Sequence, residues 1–212
     1  KVATDGTAFT GPPWNPLPTF ARAPDVSGAA ALNGSILLFG GSLNARAEPW
    51  VQAYHPSSGT WDAVLSSGAQ VSNVVGESGG SLYALGRTSS IAANSLLRFD
   101  PATNRWQTIL GTVPAFSNVC GGAALSGGDL LVLDCPGLAA MTIYRYAPAS
   151  GRLSGRWFKG ASYYTTRLRP AFAAVGGDAY VFGGYLNPFL GTPGITGQVS
   201  RYRAATDTWV NL

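Results

Sequence analysis

The chain has 212 residues, 46% apolar and only 11% charged, with 28 glycines, 14 prolines and a formal charge of +4. That length supports a substantial core, and the glycine and proline content suits many short strands and tight turns. No stretch approaches about eighteen consecutive apolar residues, which excludes a transmembrane helix, and so modest a charge dictates no particular partner.

The chain opens at Lys1, without Met or a signal-peptide pattern, and so reads as a processed or excised piece. Residues 1–24 begin no repeat; Trp14-Asn15-Pro16-Leu17-Pro18 looks like the closing strand of one, and its prolines suit a sheet edge. From residue 25 the order is regular. A strand of small residues comes first, at 27–32, 120–125 and 171–175. An apolar strand follows, entered by an Asn-Gly or Gly-Gly turn: Asn33-Gly34-Ser35-Ile36-Leu37-Leu38-Phe39-Gly40-Gly41 in the first copy, with counterparts at 79–87, 127–135 and 176–184. A third strand carries Tyr54, Phe99, Tyr146 or Tyr202. Seven residues later a fourth carries Trp61, Trp106 or Trp209, with Leu153 at that spacing in the third copy. Residues 154–169 then read as an insertion.

Taking Gly40, Gly86, Asp134 and Gly183 as equivalent, the steps are 46, 48 and 49 residues, the mark of a repeat architecture. A Gly-Gly pair followed by a spaced Tyr and Trp over about 50 residues resembles the kelch repeat. The resemblance covers roughly residues 25–212 in about four repeats (25–70, 71–115, 116–165 and 166–212) behind the N-terminal segment 1–24. Departures are Gly86-Arg87, Asp134-Cys135 and Leu153. The resemblance implies an all-β fold, a β-propeller of about four four-stranded antiparallel blades, of the class that includes the galactose-oxidase propeller. Small first strands then suit the crowded inner rim where blades converge. Kelch rings generally have more than four blades, and a strand at Trp14 is surplus to four. A closed four-bladed ring with that strand added at an edge is one expectation; the preferred one is part of a larger ring, or an arc whose exposed blade faces another chain covers.

The hairpin turn of the third copy falls at 126–128, so opposed residues have numbers summing to about 255, as Cys120 and Cys135 do. A disulfide between them is expected, and with it an oxidising, extracellular or cell-surface location. Asn33-Gly34-Ser35 is a candidate N-glycosylation triplet, although Asn33-Gly34 is also a favoured hairpin turn. Asn118-Val119-Cys120 is a poorer match.

His55 is the sole histidine and precedes a proline at a turn position. The copper site of kelch-type oxidases needs two histidines, so no metal, cofactor or catalytic residue is assigned. Most acids sit in turns; Glu77, on an inner strand or at its hairpin turn, is the exception. From Arg145 to Arg169 there are six basic residues and no acidic one, yet no recognised nucleic-acid module accompanies them. Arg152, Arg156, Trp157, Lys159, Tyr163, Tyr164, Arg167 and Arg169, with Tyr185 and Phe189 of the loop 185–197, are the candidate ligand contacts. The leading reading is a non-enzymatic extracellular interaction or assembly module, with a protein or other propeller blades as partner. The alternatives are a carbohydrate-binding module, acidic glycans included, and a propeller segment of a larger secreted enzyme such as a kelch-type oxidase.

Overall fold

The computed structural model describes residues 18, 26–40, 42–43, 46–47, 49–88, 95–109, 111–136, 140–149, 154–165, 167–186 and 194–212. Among them there is no helix. Four antiparallel sheets, here blades I to IV, follow one another along the chain. Blade I comprises β1 (Val26–Leu32), β2 (Ser35–Gly40), a ribbon of β3 (Ser42–Leu43) and β4 (Arg46–Ala47), then β5 (Trp50–His55), β6 (Thr60–Trp61) and β7 (Leu65–Ser66), the last two both pairing with β5. Blade II is β8 (Ala69–Ser78), β9 (Ser81–Thr88), β10 (Ser95–Asp100) and β11 (Arg105–Thr108). Blade III is β12 (Val119–Ala124), β13 (Leu130–Asp134), β14 (Met141–Pro148) and β15 (Gly155–Tyr163). After β16 (Arg167–Leu168), blade IV runs β17 (Ala171–Val175), β18 (Asp178–Phe182), β21 (Val199–Arg203) and β22 (Thr208–Asn211). Between β18 and β21, β19 (Tyr185–Leu186) and β20 (Gly194–Ile195) join β16 in a side sheet. Asn33 and Gly34 both hold positive φ, 52° and 76°, and make the two-residue turn that joins β1 to β2.

The second strands of blades II and III face two neighbours at once, and those of blades I and IV face one. Leu37 and Phe39 meet Leu82 and Ala84 between blades I and II. Tyr83 and Leu85 turn the other way, to Leu130 and Val132. Leu131 and Leu133 then meet Ala179 and Val181. In blades II and III both faces are covered, and so these strands read as uninterrupted apolar runs rather than alternating ones. The inner strands β1, β8, β12 and β17 adjoin in that order. Crowding there accounts for their small residues: a Cβ on Gly122 would lie 2.6 Å from Val75 Cα, a backbone atom that cannot step aside.

The outer strands repeat an aromatic pair. Tyr54 opposes Trp61, Phe99 opposes Trp106 and Tyr202 opposes Trp209, with ring centroids 4.9, 5.2 and 5.2 Å apart. In blade III the partner of Tyr146 is Trp157, 5.0 Å away. This corrects the sequence reading. Residues 155–163 are the fourth strand of blade III and not an insertion; its connecting turn is longer, so the Trp arrives later than the usual spacing. Leu153 and the strand expected at Trp14 lie outside the described residues, apart from Pro18, whose carbonyl accepts the Trp61 indole N–H at 2.7 Å.

Cys120 and Cys135 form a disulfide with Cα atoms 5.8 Å apart. The pair is not directly opposed as the numbering suggested. The ladder pairs Gly121 with Leu133 and Ala124 with Leu130, one lower in sum, and a bulge between Val119 and Gly121 shifts the register at Cys120. The bond therefore closes at the end of the ladder.

Two outcomes are expected. Gly122→Ala should lower the unfolding free energy by about 1–3 kcal/mol, because overpacking against backbone forces the seam between blades II and III apart; urea denaturation reads this. Reducing the disulfide should cost about 2–4 kcal/mol in the same assay, and non-reducing peptide mapping should recover Cys120 and Cys135 in one linked species.

Candidate functional site

The basic aromatic stretch divides by strand alternation. Trp157 turns into the seam between blades II and III, where it packs on Phe116 at 5.7 Å as well as on Tyr146. Phe158 points the opposite way and is 42% exposed. The guanidinium carbons of Arg145 and Arg156 each lie 5.6 Å from its ring centroid. Arg145 also pairs with Asp129. Arg156 and Lys159 are exposed. Arg152 and Phe189 lie outside the described residues.

Further along, Tyr163 and Arg167 are interior residues. Arg167 has no exposed surface and donates to the Gln198 carbonyl at 2.9 Å, Gln198 Oε1 at 2.8 Å and Ser200 Oγ at 2.7 Å. Its guanidinium also lies 5.5 Å from the Tyr163 ring centroid. Ser200 donates to the Tyr163 hydroxyl at 3.0 Å, Tyr163 donates to Asn211 Oδ1, and Asn211 Nδ2 donates to the Tyr164 oxygen at 2.8 Å. This chain of bonds ties the β16 side sheet to β21 and β22. Of the expected ligand contacts, Trp157, Tyr163 and Arg167 are therefore occupied inside the fold. A buried guanidinium needs partners for its donors, and neutral oxygens serve its two terminal nitrogens here, while Nε has none among the described residues. Tyr164, Arg169 and Tyr185 remain exposed.

Two sheet faces stand apart from the rest. Ile36, Leu130 and Ala179 oppose the third-strand tyrosine of their blades. Leu130 and Ala179 are fully buried by the preceding blade, whereas Ile36 is 39% exposed. At the other end, Phe182 occupies the place of Phe39 and Leu133; both of those are fully buried, and Phe182 is 42% exposed. Tyr180 stacks on Phe182 with centroids 6.2 Å apart, and at the far end of the same strand pair Val175, opposite Asp178, is 69% exposed. Among the described residues β1 and β17 do not adjoin as the other inner strands do. Among the described residues the backward face of blade I and the forward face of blade IV are thus uncovered. Single repeats cannot reveal this, since Ile36 and Phe182 look like any other second-strand position.

His55 sits between Ser35 Oγ at 2.9 Å on Nδ1 and Asp62 Oδ1 at 3.0 Å on Nε2, a staple between β2 and the turn after β6. Glu77 accepts the Gly80 N–H at 2.7 Å and closes the β8–β9 turn. Asn33 is exposed at its turn.

Residues 27–64, which lie within blade I, match the family described as Kelch motif. The solved structure of YjhT superposes with a TM-score of 0.58 at 14% identity, over 86% of this chain and 68% of that one. That likeness is one of fold. No curated protein matches the sequence.

The Tyr164 phenol is held below its ordinary value of 10.0, chiefly by the hydrogen bond from Asn211, with contributions from Tyr163, Thr165 and the Arg167 charge. A donor to the oxygen favours the phenolate. Asn211→Ala should move the Tyr164 titration upward. Ultraviolet absorbance titration, assigned with Tyr164→Phe, checks the direction.

Proposed function

Starting from a chain of the kelch-repeat propeller family, we propose that it is a non-enzymatic interaction and assembly module of an extracellular or cell-surface protein. Kelch-type propellers suggest protein interaction as a general role. The observation that carries the reading here is the pair of uncovered blade faces. Positions that are fully buried wherever a neighbouring blade is present hold Ile36 and Phe182 at 39% and 42% exposure. Covering such side chains contributes about 1–3 kcal/mol each, and contiguous exposed apolar sheet favours association. The Cys120–Cys135 disulfide supports an oxidising compartment, and the exposed Asn33 supports glycosylation.

A second reading, glycan recognition, is favoured by Phe158 between Arg145 and Arg156. An exposed ring can stack on a sugar while guanidiniums meet its acidic groups.

Multi-angle light scattering tests the first reading. The chain should associate as its concentration rises, and Phe182→Glu and Ile36→Glu should each weaken that association at least about tenfold without altering the circular dichroism. A protein that stays monomeric at every concentration, with both variants indistinguishable from it, contradicts the assembly role.

A further inference from the structure

A cavity of about 430 Å³ opens between blades II and III, where the β8–β9 and β12–β13 hairpins come together. Ser78 Oγ donates to the Gly128 carbonyl and ties the two hairpins. Tyr83, Arg98, Ser81 and Asp129 stand on the wall. The size is within the range of small-molecule sites, about 300–1,000 Å³.

The corresponding positions of the other blades show what is unusual about it. Arg98 opposes Tyr83 in blade II as Arg145 opposes Leu131 in blade III and Arg201 opposes Tyr180 in blade IV. Two residues before those second-strand positions lie Ser81, Asp129 and Asp178. Arg145 pairs with Asp129, and Arg201 pairs with Asp178. Blade II has a serine at that place. Among the described residues Arg98 has only the Gln107 Oε1 atom at 3.5 Å and the Tyr83 hydroxyl. It is a guanidinium on a cavity wall without the carboxylate that its two counterparts have.

A separate cavity lies elsewhere in the seam and shares no wall residue with the first. The Tyr146 hydroxyl, on a residue only 1% exposed, has no hydrogen-bond partner among the described residues. It lines a smaller cavity of about 240 Å³ in the same seam. Burial raises Tyr83, and it pushes Tyr146 up to about 12 with the neighbouring Tyr83 adding to the effect. Both phenols therefore stay protonated at neutral pH and keep an O–H to offer.

We propose that this seam binds a small monocarboxylate rich in hydroxyl groups, a sugar acid, whose carboxylate meets Arg98 as Asp129 and Asp178 meet the arginines of the later blades. Asp129 on the wall and the nearby charge of Glu77, which acts on Tyr83, oppose a dianion such as phosphate. The same Asp129, with Ser81, accepts from hydroxyl groups. This site is independent of the uncovered end faces and of the assembly reading.

The experiment is a nuclear magnetic resonance titration of the full 212-residue chain with sodium glucuronate, with glucose and inorganic phosphate as controls. Glucuronate should give saturable shifts confined to the two hairpins, Tyr83 and Arg98, and both controls should bind at least about tenfold more weakly. Ser81→Asp rebuilds within blade II the ion pair of its counterparts; it should fold, melt at a higher temperature and lose at least about tenfold in glucuronate affinity. Arg98→Gln should lose affinity similarly. No glucuronate-dependent shift in the parent chain, unchanged affinity in Ser81→Asp, or phosphate binding as tightly as glucuronate overturns the proposal.

Discussion

Everything in this molecule depends on the fact that a single blade cannot bury its own sheet. A second strand between two blades sends alternate side chains to opposite neighbours, Leu131 and Leu133 forward, Leu130 and Val132 backward. Each seam is thus a joint product of two repeats, and three seams hold four blades. Stability in such an array comes from nearest-neighbour interfaces more than from any one unit. Among the described residues the same arithmetic leaves one unmatched face at each end, where Ile36 and Phe182 are exposed and their equivalents are buried.

The seams carry two different fastenings. On the outer side, a tyrosine or phenylalanine of the third strand leans on a tryptophan of the fourth, at centroid distances of 4.9 to 5.2 Å in all four blades. Such pairs contribute about 0.5–1.5 kcal/mol beyond the area they bury. On the inner side, glycine and alanine let backbones approach where no side chain fits. Substitution within this frame is informative: where blade II puts Ser81 in a place that blades III and IV give to aspartate, an arginine loses a partner and a cavity appears beside it.

Much of the functional expectation rested on a stretch whose interpretation changed with the fold. Residues 154–169 looked surplus because Leu153 stood at the tryptophan spacing. In the folded chain Trp157 takes that role, and strand alternation sorts its neighbours. Phe158 faces outward between two arginines, whereas Tyr163 and Arg167 face inward to a hydrogen-bonded network. A repeat tolerates a longer turn as long as the aromatic pair is restored, and spacing counted along the chain misses that compensation.

The order of residues was sufficient for the repeat, the all-β class, the four-stranded unit and the cysteine pair, because each follows from local rules of turns and strand period, although hairpin numbering set the cysteines directly opposite and the bulge at Cys120 does not. It even located the crowded inner strands, since alanine and glycine, poor strand formers on their own, persist in a strand where neighbouring backbones leave no room for larger side chains. Exposure was beyond its reach. Ile36 and Leu130 are equivalent aliphatic positions in the chain, and Arg98 and Arg145 are equivalent arginines. What separates them is which blade lies alongside and whether a carboxylate stands two residues before the facing position. The first is a relation between distant segments that exists only once the seams have formed, and the second needs the strand pairing within a blade.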